Sequence, residues 1–247
     1  MSYSTVVLHL DAHRGMDERV DQAVRLAHRF EAHLVGVAAA DHSLFGLTVA
    51  SGFAGTPRLA QAVEDSRAAA RRRAAAFQQR AAGRAEPVSF ETVVDDDDDV
   101  AALVRRSLCS DLLVLGRPDP ASHDFARRRD QLEQVILESV APTLVLPEAD
   151  RQEAIGERVM VAWDGSHGAA RAVVGALPML QRARRVHLVR CETAVEVDRG
   201  VEAGGFDLPR DWLGRHGVRI DANLEHSGND VGRALLAHAV GLGADLL

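Results

Sequence analysis

Apolar residues follow two alternating patterns along this chain. Runs of about four to eight apolar residues alternate with longer segments in which apolar positions recur every third or fourth residue. The first run lies within Thr5–His13, and the segment after it carries an apolar stripe. That stripe contains Val20, Ala23, Val24 and Ala27. Short apolar strands that alternate with amphipathic helices predict parallel sheets built from right-handed βαβ units.

The succession of strand, aspartate and helix occurs twice. TVVLHLDAH (Thr5–His13) and RVMVAWDGSH (Arg158–His167) each predict a strand that runs up to an aspartate. Asp11 and Asp164 occupy matching positions in the two segments. Each predicted helix is followed by another predicted strand, at Ala32–Ala40 and at Arg184–Cys191. A repeated order of elements indicates a duplicated module.

A further match lies later in each half. Val88–Gly116 aligns with Val218–Leu247, because both segments predict a strand, a polar connection, a helix and a strand that begins with Asp-Leu-Leu. We therefore predict an α/β protein of two tandem Rossmann-like domains with parallel sheets. The predicted domains are residues 1–147 and 158–247, joined by a polar linker.

The two predicted domains differ in length. The first continues with a helix at about residues 124–139 and a strand within Pro142–Pro147. The second ends at Leu247, inside a predicted strand, so we expect its C-terminal part to be missing from this sequence. This expectation bears on function because open α/β sheets bind ligands at the carboxyl ends of their strands.

Composition narrows the classes of function. The chain has 247 residues, of which 47% are hydrophobic, and its formal net charge is −7. Nucleic acid binding needs a cationic surface, which this charge balance disfavours. No apolar run approaches the ~18 residues of a membrane span, and the N-terminus lacks the pattern of a signal peptide. We expect a cytoplasmic protein that binds neither nucleic acid nor membranes.

The types of ionisable residue exclude several chemistries. All 29 Lys+Arg residues are arginine, which excludes a P-loop lysine, a Schiff-base lysine and a lysine general base. Cys109 and Cys191 lie far apart without CxxC spacing, and the 11 histidines show neither HxH nor HExxH spacing. We expect no metal site.

Runs of like charge are interpreted as solvated surface. Asp95–Asp99 precedes a predicted helix, where acidic residues are favourable, so we interpret the run as a solvated helix cap rather than a cation site. Arg71–Arg73 and Arg127–Arg129 are interpreted as water-facing helix surfaces.

The turn at Asp164, Ser166 and His167 carries the densest group of candidate functional residues. One hypothesis makes Ser166 a hydrolase nucleophile, but the surrounding pattern is D-x-S-x-G rather than G-x-S-x-G. His167 is adjacent in sequence, so it is badly placed to act as the base. Neither residue is therefore predicted to be catalytic.

Two other interpretations of this turn remain open. The N–H groups at the start of the following helix suit phosphate or ribose oxygens, and Asp164 can accept hydrogen bonds from a ribose or an adenine edge. Alternatively, Asp164 and Ser166 only cap the helix, which short polar residues do well.

The ordered motifs of the chain resemble those of the universal stress protein family in its tandem two-domain form. The resemblance rests on strand–DGS–helix at Asp164–Ser166, on DLLVLG at Asp111–Gly116 and on VILESVAPTLVLP at Val135–Pro147. It covers essentially the whole chain. It implies two domains of the adenine nucleotide alpha hydrolase-like type that pair through their terminal strands, and a homodimer.

Nucleotide-binding members of that family carry Gly-x2-Gly-x9-Gly-Ser/Thr from the end of the fourth strand. In the first half this register falls on Gly116, Asp119, Arg129 and Asp130. Only the first glycine is present, and the close approach of a backbone amide to phosphate requires glycine. The resemblance therefore implies a degenerate first domain, in which Asp11 has a structural role.

In the second half the matching phosphate motif would follow Leu247. The resemblance implies at most one site for ATP or AMP, at residues of the second half: Ala162, Trp163, Asp164, Gly165, Ser166 and Val189. It implies a non-enzymatic stress-response or signalling module without a firmly expected cofactor. The alternative is an enzyme that uses an adenine nucleotide on a related fold, such as a nucleotidyltransferase or an ATP-hydrolysing protein.

Overall fold

The computed structural model describes residues 2–40, 57–84, 88–147, 155–192, 206–226 and 230–247. The chain divides into two compact units, Ser2–Arg151 and Gln152–Leu247, named here the first and second unit. Among the described residues, no helix combines the length and apolar character needed to cross a bilayer.

The first unit is a parallel α/β domain, as the sequence predicts. Its strands are arranged in the order β3-β2-β1-β4-β5. The elements are β1 (Thr5–His9), α1 (Met16–Phe30), β2 (His33–Ala39), α2 (Pro57–Ala82), β3 (Phe90–Asp95), α3 (Asp99–Ser107), β4 (Leu112–Gly116), α4 (Phe125–Glu138) and β5 (Thr143–Leu146). The central strands consist of buried apolar runs, as expected where helices cover both faces of a sheet.

The second unit repeats this order of elements over its described residues. Its elements are β6 (Arg158–Ala162), α5 (His167–Arg182), β7 (Arg185–Glu192), α6 (Asp207–Arg215), β8 (Ile220–His226) and α7 (Val231–Leu242). The three strands are parallel in the order β6-β7-β8, and Leu246 forms a further parallel bridge to Val159 of β6.

The aspartate of the repeated Asp-Leu-Leu motif makes equivalent hydrogen bonds in both units. The Asp111 carboxylate accepts the backbone N–H groups of Ser4 and Thr5 at 2.8 and 2.9 Å, just where β1 begins. Asp245 accepts the N–H groups of residues 156, 157 and 158 at the start of β6. In each unit the aspartate thus fixes the beginning of the first strand.

The order of strands determines where a ligand crevice can lie in the first unit. The chain runs outwards from β1 to β2 and β3, and then returns to place β4 on the other side of β1. An open parallel sheet of this kind has a crevice at the carboxyl ends of the two strands where the order reverses. In this unit those ends are His9–Asp11 and Gly116.

Candidate functional site

A cleft lies at the carboxyl ends of β1 and β4 in the first unit, between α3 and α4. Its empty space, counted together with the open solvent at its mouth, is about 410 Å³. Its floor is apolar, with Leu103 and Leu115 among its residues. The polar lining consists of His9, Asp11, Asp99, Arg128 and Gln131. The position agrees with the crevice expected from the order of strands.

Asp11, which lines this cleft, forms an ion pair with Arg19. Asp11 is 7% exposed and Arg19 is 1% exposed, and Arg19 Nη2 donates to Asp11 Oδ1. The same carboxylate oxygen accepts the N–H of His13 at 3.0 Å. Arg128 Nη1 lies 4.0 Å from the other oxygen, Oδ2. A buried carboxylate requires such partners, because an unpaired buried charge is strongly unfavourable.

Gly116 provides the room in which the Arg19 guanidinium lies. A methyl group at Gly116 would lie 2.5 Å from Arg19 Nη1 and 2.6 Å from Cζ, closer than atoms can approach. Gly116, the one glycine that matches the family phosphate motif, is therefore in contact with the Arg19 guanidinium. The space beside it is filled by a side chain.

The other three positions of that register do not form a phosphate loop. Asp119 accepts the N–H of Ala121 at 2.9 Å within its own turn. Arg129 and Asp130 are exposed on α4, where their side chains pair with each other at 3.2 Å.

His9 and Asp99 form a second pair of ionisable groups in the cleft. His9 Nε2 lies 3.0 Å from Asp99 Oδ1, an ion-pair distance without the alignment of a good hydrogen bond. Burial by itself lowers the pKa of His9, but the Asp99 carboxylate offsets this and the pKa lies above its ordinary value. Burial raises the pKa of Asp99, but His9, with Arg73 and Arg127, holds this pKa below its usual range.

This pair predicts a pH-dependent contribution to stability. Because the folded state raises the pKa of His9, the stabilisation is complete below the ordinary value near 6.5 and is lost as pH rises through the higher folded value. We expect the stability difference between the wild type and His9→Asn to shrink from about pH 6 to about pH 9 in urea unfolding.

The control for that experiment is His33→Asn in the same unit. The His33 side chain is 37% exposed and lies 3.9 Å from Glu91. Its replacement is expected to leave the pH profile close to that of the wild type. A His9→Asn difference that stays constant over the same range would contradict the assignment of a buried pair.

The arginine runs are only partly exposed, which corrects their interpretation as water-facing surfaces. Arg71 and Arg129 are exposed, but Arg73 Nε donates to the Leu10 carbonyl at 2.8 Å and Nη2 donates to the Ala39 carbonyl at 2.7 Å. Arg128 lines the cleft. The interpretation was wrong for Arg73 and Arg128, because one member of each run faces inwards when its helix packs on the sheet.

The interpretation of the aspartate run is confirmed at one position and wrong at another. Asp98 caps α3, accepting the N–H of Ala101 at 2.9 Å. Asp99 is directed into the cleft towards His9 instead of solvent. Among the described residues, no group of three or more His, Cys, Asp and Glu side chains could hold a metal ion.

The turn in the second unit is a well-formed helix cap. Asp164 Oδ1 accepts the N–H of Ser166 at 2.8 Å, and Ser166 Oγ accepts the N–H of Ala169 at 3.1 Å. Gly165 has φ of 78°, which favours glycine. Asp164 and Ser166 are exposed, and hydrogen bonds from Ser166 lower the pKa of Asp164.

The remaining predicted residues lie where β6 meets β7. The Trp163 N–H donates to the Val189 carbonyl at 2.8 Å, and Val189 is fully buried in β7. Ala162 ends β6, and Trp163 packs against the core of the second unit. The fold thus brings Ala162, Trp163 and Val189 next to the exposed turn at Asp164–Ser166.

Sequence reasoning missed most side chains of the cleft in the first unit. Asp11 and Gly116 were singled out, whereas Asp99, Arg73 and Arg128 were named only as members of solvated charge runs. His9 and Arg19 were not named at all. A signal existed for Arg19, because it lies one helical turn before Ala23 on the buried stripe of α1. Arg73 carries the same kind of signal, because it lies one helical turn before the buried Phe77 of α2. No such signal was available for His9.

A parallel sheet with helices on both faces and a cleft at the switch point defines the first unit as a Rossmann-like α/β domain. The family model of the Universal stress protein family matches residues 2–146, more than half of the chain. The chain belongs to the universal stress protein family.

Several solved structures resemble this chain in fold. The whole chain resembles a universal stress protein from Archaeoglobus fulgidus DSM 4304, with a TM-score of 0.70, 13% identity, and coverage of 97% of this chain and 84% of that one. UspA from Lactobacillus plantarum matches with a TM-score of 0.48 and 18% identity, over 59% and 99% of the two chains. A universal stress protein in complex with cAMP matches with a TM-score of 0.43 and 18% identity, over 60% and 100%.

At these levels of identity the likeness concerns the fold alone. No significant match was found among curated proteins.

Proposed function

We propose that this chain is a non-enzymatic stress-response or signalling module with two tandem domains of the family. In the proposal, an adenine nucleotide, ATP or AMP, binds only in the second unit. The observation that carries the proposal is the Arg19 guanidinium, which fills the space beside Gly116 and pairs with Asp11.

The chemistry of the first unit supports the absence of a triphosphate there. A phosphate at Gly116 would have to displace Arg19 from Asp11 and leave that carboxylate buried without its counter-charge. Breaking a buried pair in this way costs about 3–5 kcal/mol. Asp119 and Asp130 would add negative charge at two positions of the motif.

The second unit differs at the matching corner. Asp164 is exposed, whereas Asp11 is buried. The second carboxylate oxygen of Asp164 is therefore accessible to a ribose hydroxyl. The first N–H groups of α5 and the positive end of its dipole favour a phosphate nearby. Ala162, Trp163, Gly165 and Val189 would frame the base and sugar.

The equivalent hydrogen bonds of Asp111 and Asp245 support the assignment of the second unit as a domain of the same kind as the first. The strand order β6-β7-β8 parallels β1-β2-β3, and Asp245 binds the start of β6 as Asp111 binds the start of β1.

Replacing Asp164 by alanine tests the proposed nucleotide site. We expect the wild type to bind no more than one ATP or AMP per chain in equilibrium dialysis. We expect Asp164→Ala to weaken binding by roughly 10- to 100-fold, because hydrogen bonds to a charged group contribute about 1.5–3 kcal/mol.

The matched control is Asp211→Ala, which removes an exposed carboxylate from the interior of α6 in the same unit. Its affinity for nucleotide is expected to equal that of the wild type. Two bound nucleotides per chain, or affinity unchanged in Asp164→Ala, would refute the proposed site. Hydrolysis of ATP that disappears in Asp164→Ala would refute the non-enzymatic role.

A further inference from the structure

Side chains from three helices of the first unit converge on the carboxyl ends of its strands. Arg19 comes from α1, Arg73 from α2 and Arg128 from α4. Arg19 and Arg128 face the Asp11 carboxylate. Arg73 differs from the other two, because it donates hydrogen bonds to two backbone carbonyls.

Arg73 joins the ends of two neighbouring strands. Its Nε donates to the carbonyl of Leu10, which follows β1, and its Nη2 donates to the carbonyl of Ala39, the last residue of β2. Leu10 and Ala39 are each 1% exposed. Buried carbonyls need donors, since leaving one unpaired costs about 1–3 kcal/mol.

The planar guanidinium suits this pair of carbonyls better than any other side chain. It presents several N–H groups in a fixed fork, so one group reaches two acceptors without losing further conformational freedom. The Asp99 carboxylate also interacts electrostatically with Arg73. This negative charge favours a cation at the position of the Arg73 guanidinium.

We propose that the ends of β1 and β2 form a binding site for a guanidinium or amidinium cation, which the chain's own Arg73 occupies as a tethered ligand. The contact blocks the site, because a free cation of this class gains access only when the arginine side chain leaves. This site is separate from the proposed nucleotide site in the second unit and does not depend on it.

The first unit is expected to fold without the Arg73 side chain. Helix α2 is held to α1 by the bidentate pair of Arg80 with Asp21, at 2.6 and 2.7 Å. It also buries Ala70, Ala74 and Phe77 against the sheet side of the unit. Removing one guanidinium therefore vacates a small polar site while the packing of the helix is retained.

Chemical rescue of Arg73→Ala tests the proposal in the full chain. We expect this variant to unfold roughly 4–8 °C below the wild type, because two carbonyls lose their donor. Ethylguanidinium at about 10 mM should raise its Tm by roughly 3 °C or more through binding to the folded state. Ethylammonium at the same ionic strength should not, because it lacks the planar fork.

The matched control is Arg71→Ala on the same helix. Arg71 is exposed, and its side chain pairs only weakly with Glu64 at 3.1 Å. We expect it to keep the Tm of the wild type and to respond equally to both cations. An Arg73→Ala variant as stable as Arg71→Ala would overturn the proposal, as would equal effects of ethylguanidinium and ethylammonium.

Arg73→Lys keeps the test decisive if Arg73→Ala fails to fold. Lysine retains the charge and most of the stem but cannot bridge two carbonyls with one rigid group. A lower Tm than that of the wild type is expected. A lysine variant with the Tm of the wild type would show that charge alone suffices and would refute a site specific for guanidinium.

Discussion

Replacing Arg19 by methionine is expected to lower the free energy of unfolding of the first unit by about 3–5 kcal/mol, because it leaves a buried carboxylate without its partner. The expectation rests on Asp11 and Arg19, whose side chains are 6% and 1% exposed and form an ion pair. Methionine retains the apolar stem, so the change isolates the charge. Urea unfolding at neutral pH measures the difference.

Two companion variants identify the cause of this loss. Arg25→Met, at a half-exposed position on the same helix, should change stability by less than about 0.5 kcal/mol. The double variant Asp11→Asn/Arg19→Met should be more stable than Arg19→Met alone, because it buries no charge. If the double variant is no more stable, the unpaired carboxylate is not the reason for the loss.

Gly116→Ala is expected to destabilise the first unit by roughly 1–3 kcal/mol through overpacking. A methyl group there would lie 2.5 Å from Arg19 Nη1, so the guanidinium would have to move and disturb its ion pair with Asp11. Where space is free, replacement of glycine by alanine instead stabilises a protein by roughly 0.4–1 kcal/mol. The sign of the change in urea unfolding therefore reports whether Arg19 fills this space.

The two substitutions should be strongly non-additive. In an Arg19→Met background, Gly116→Ala is expected to cost less than in the wild type, because the thioether side chain can move without breaking an ion pair. Gly214→Ala is the matched control, since nothing lies within 4 Å of a methyl group at that position. Equal effects of Gly116→Ala in both backgrounds would contradict the contact with Arg19.

These results would bear directly on the proposed difference between the two units. A first unit that depends on Arg19 beside Gly116 cannot open that space to phosphate without losing much of its stability. Asp164 has the matching position in the second unit but is exposed, so its replacement should affect nucleotide binding far more than stability. We therefore expect replacement of Asp11 to affect mainly stability and replacement of Asp164 to affect mainly nucleotide binding.

The sequence alone determined the parallel α/β fold and the family. Strand and helix periods are local properties, so Thr5–His13 and the stripe at Val20, Ala23, Val24 and Ala27 predicted β1 and α1. The position of Asp98 before an apolar helical stretch likewise indicated a cap, because capping involves only the next three residues.

The tertiary structure alone decided what occupies the cleft of the first unit. Arg71 and Arg73 belong to one arginine run, yet one is exposed and the other binds the Leu10 carbonyl. His9 contacts Asp99 only because the end of β1 and the start of α3 lie at the same edge of the sheet. Such contacts depend on how each helix packs and rotates against the strands, and this is set by the whole core rather than by neighbouring residues.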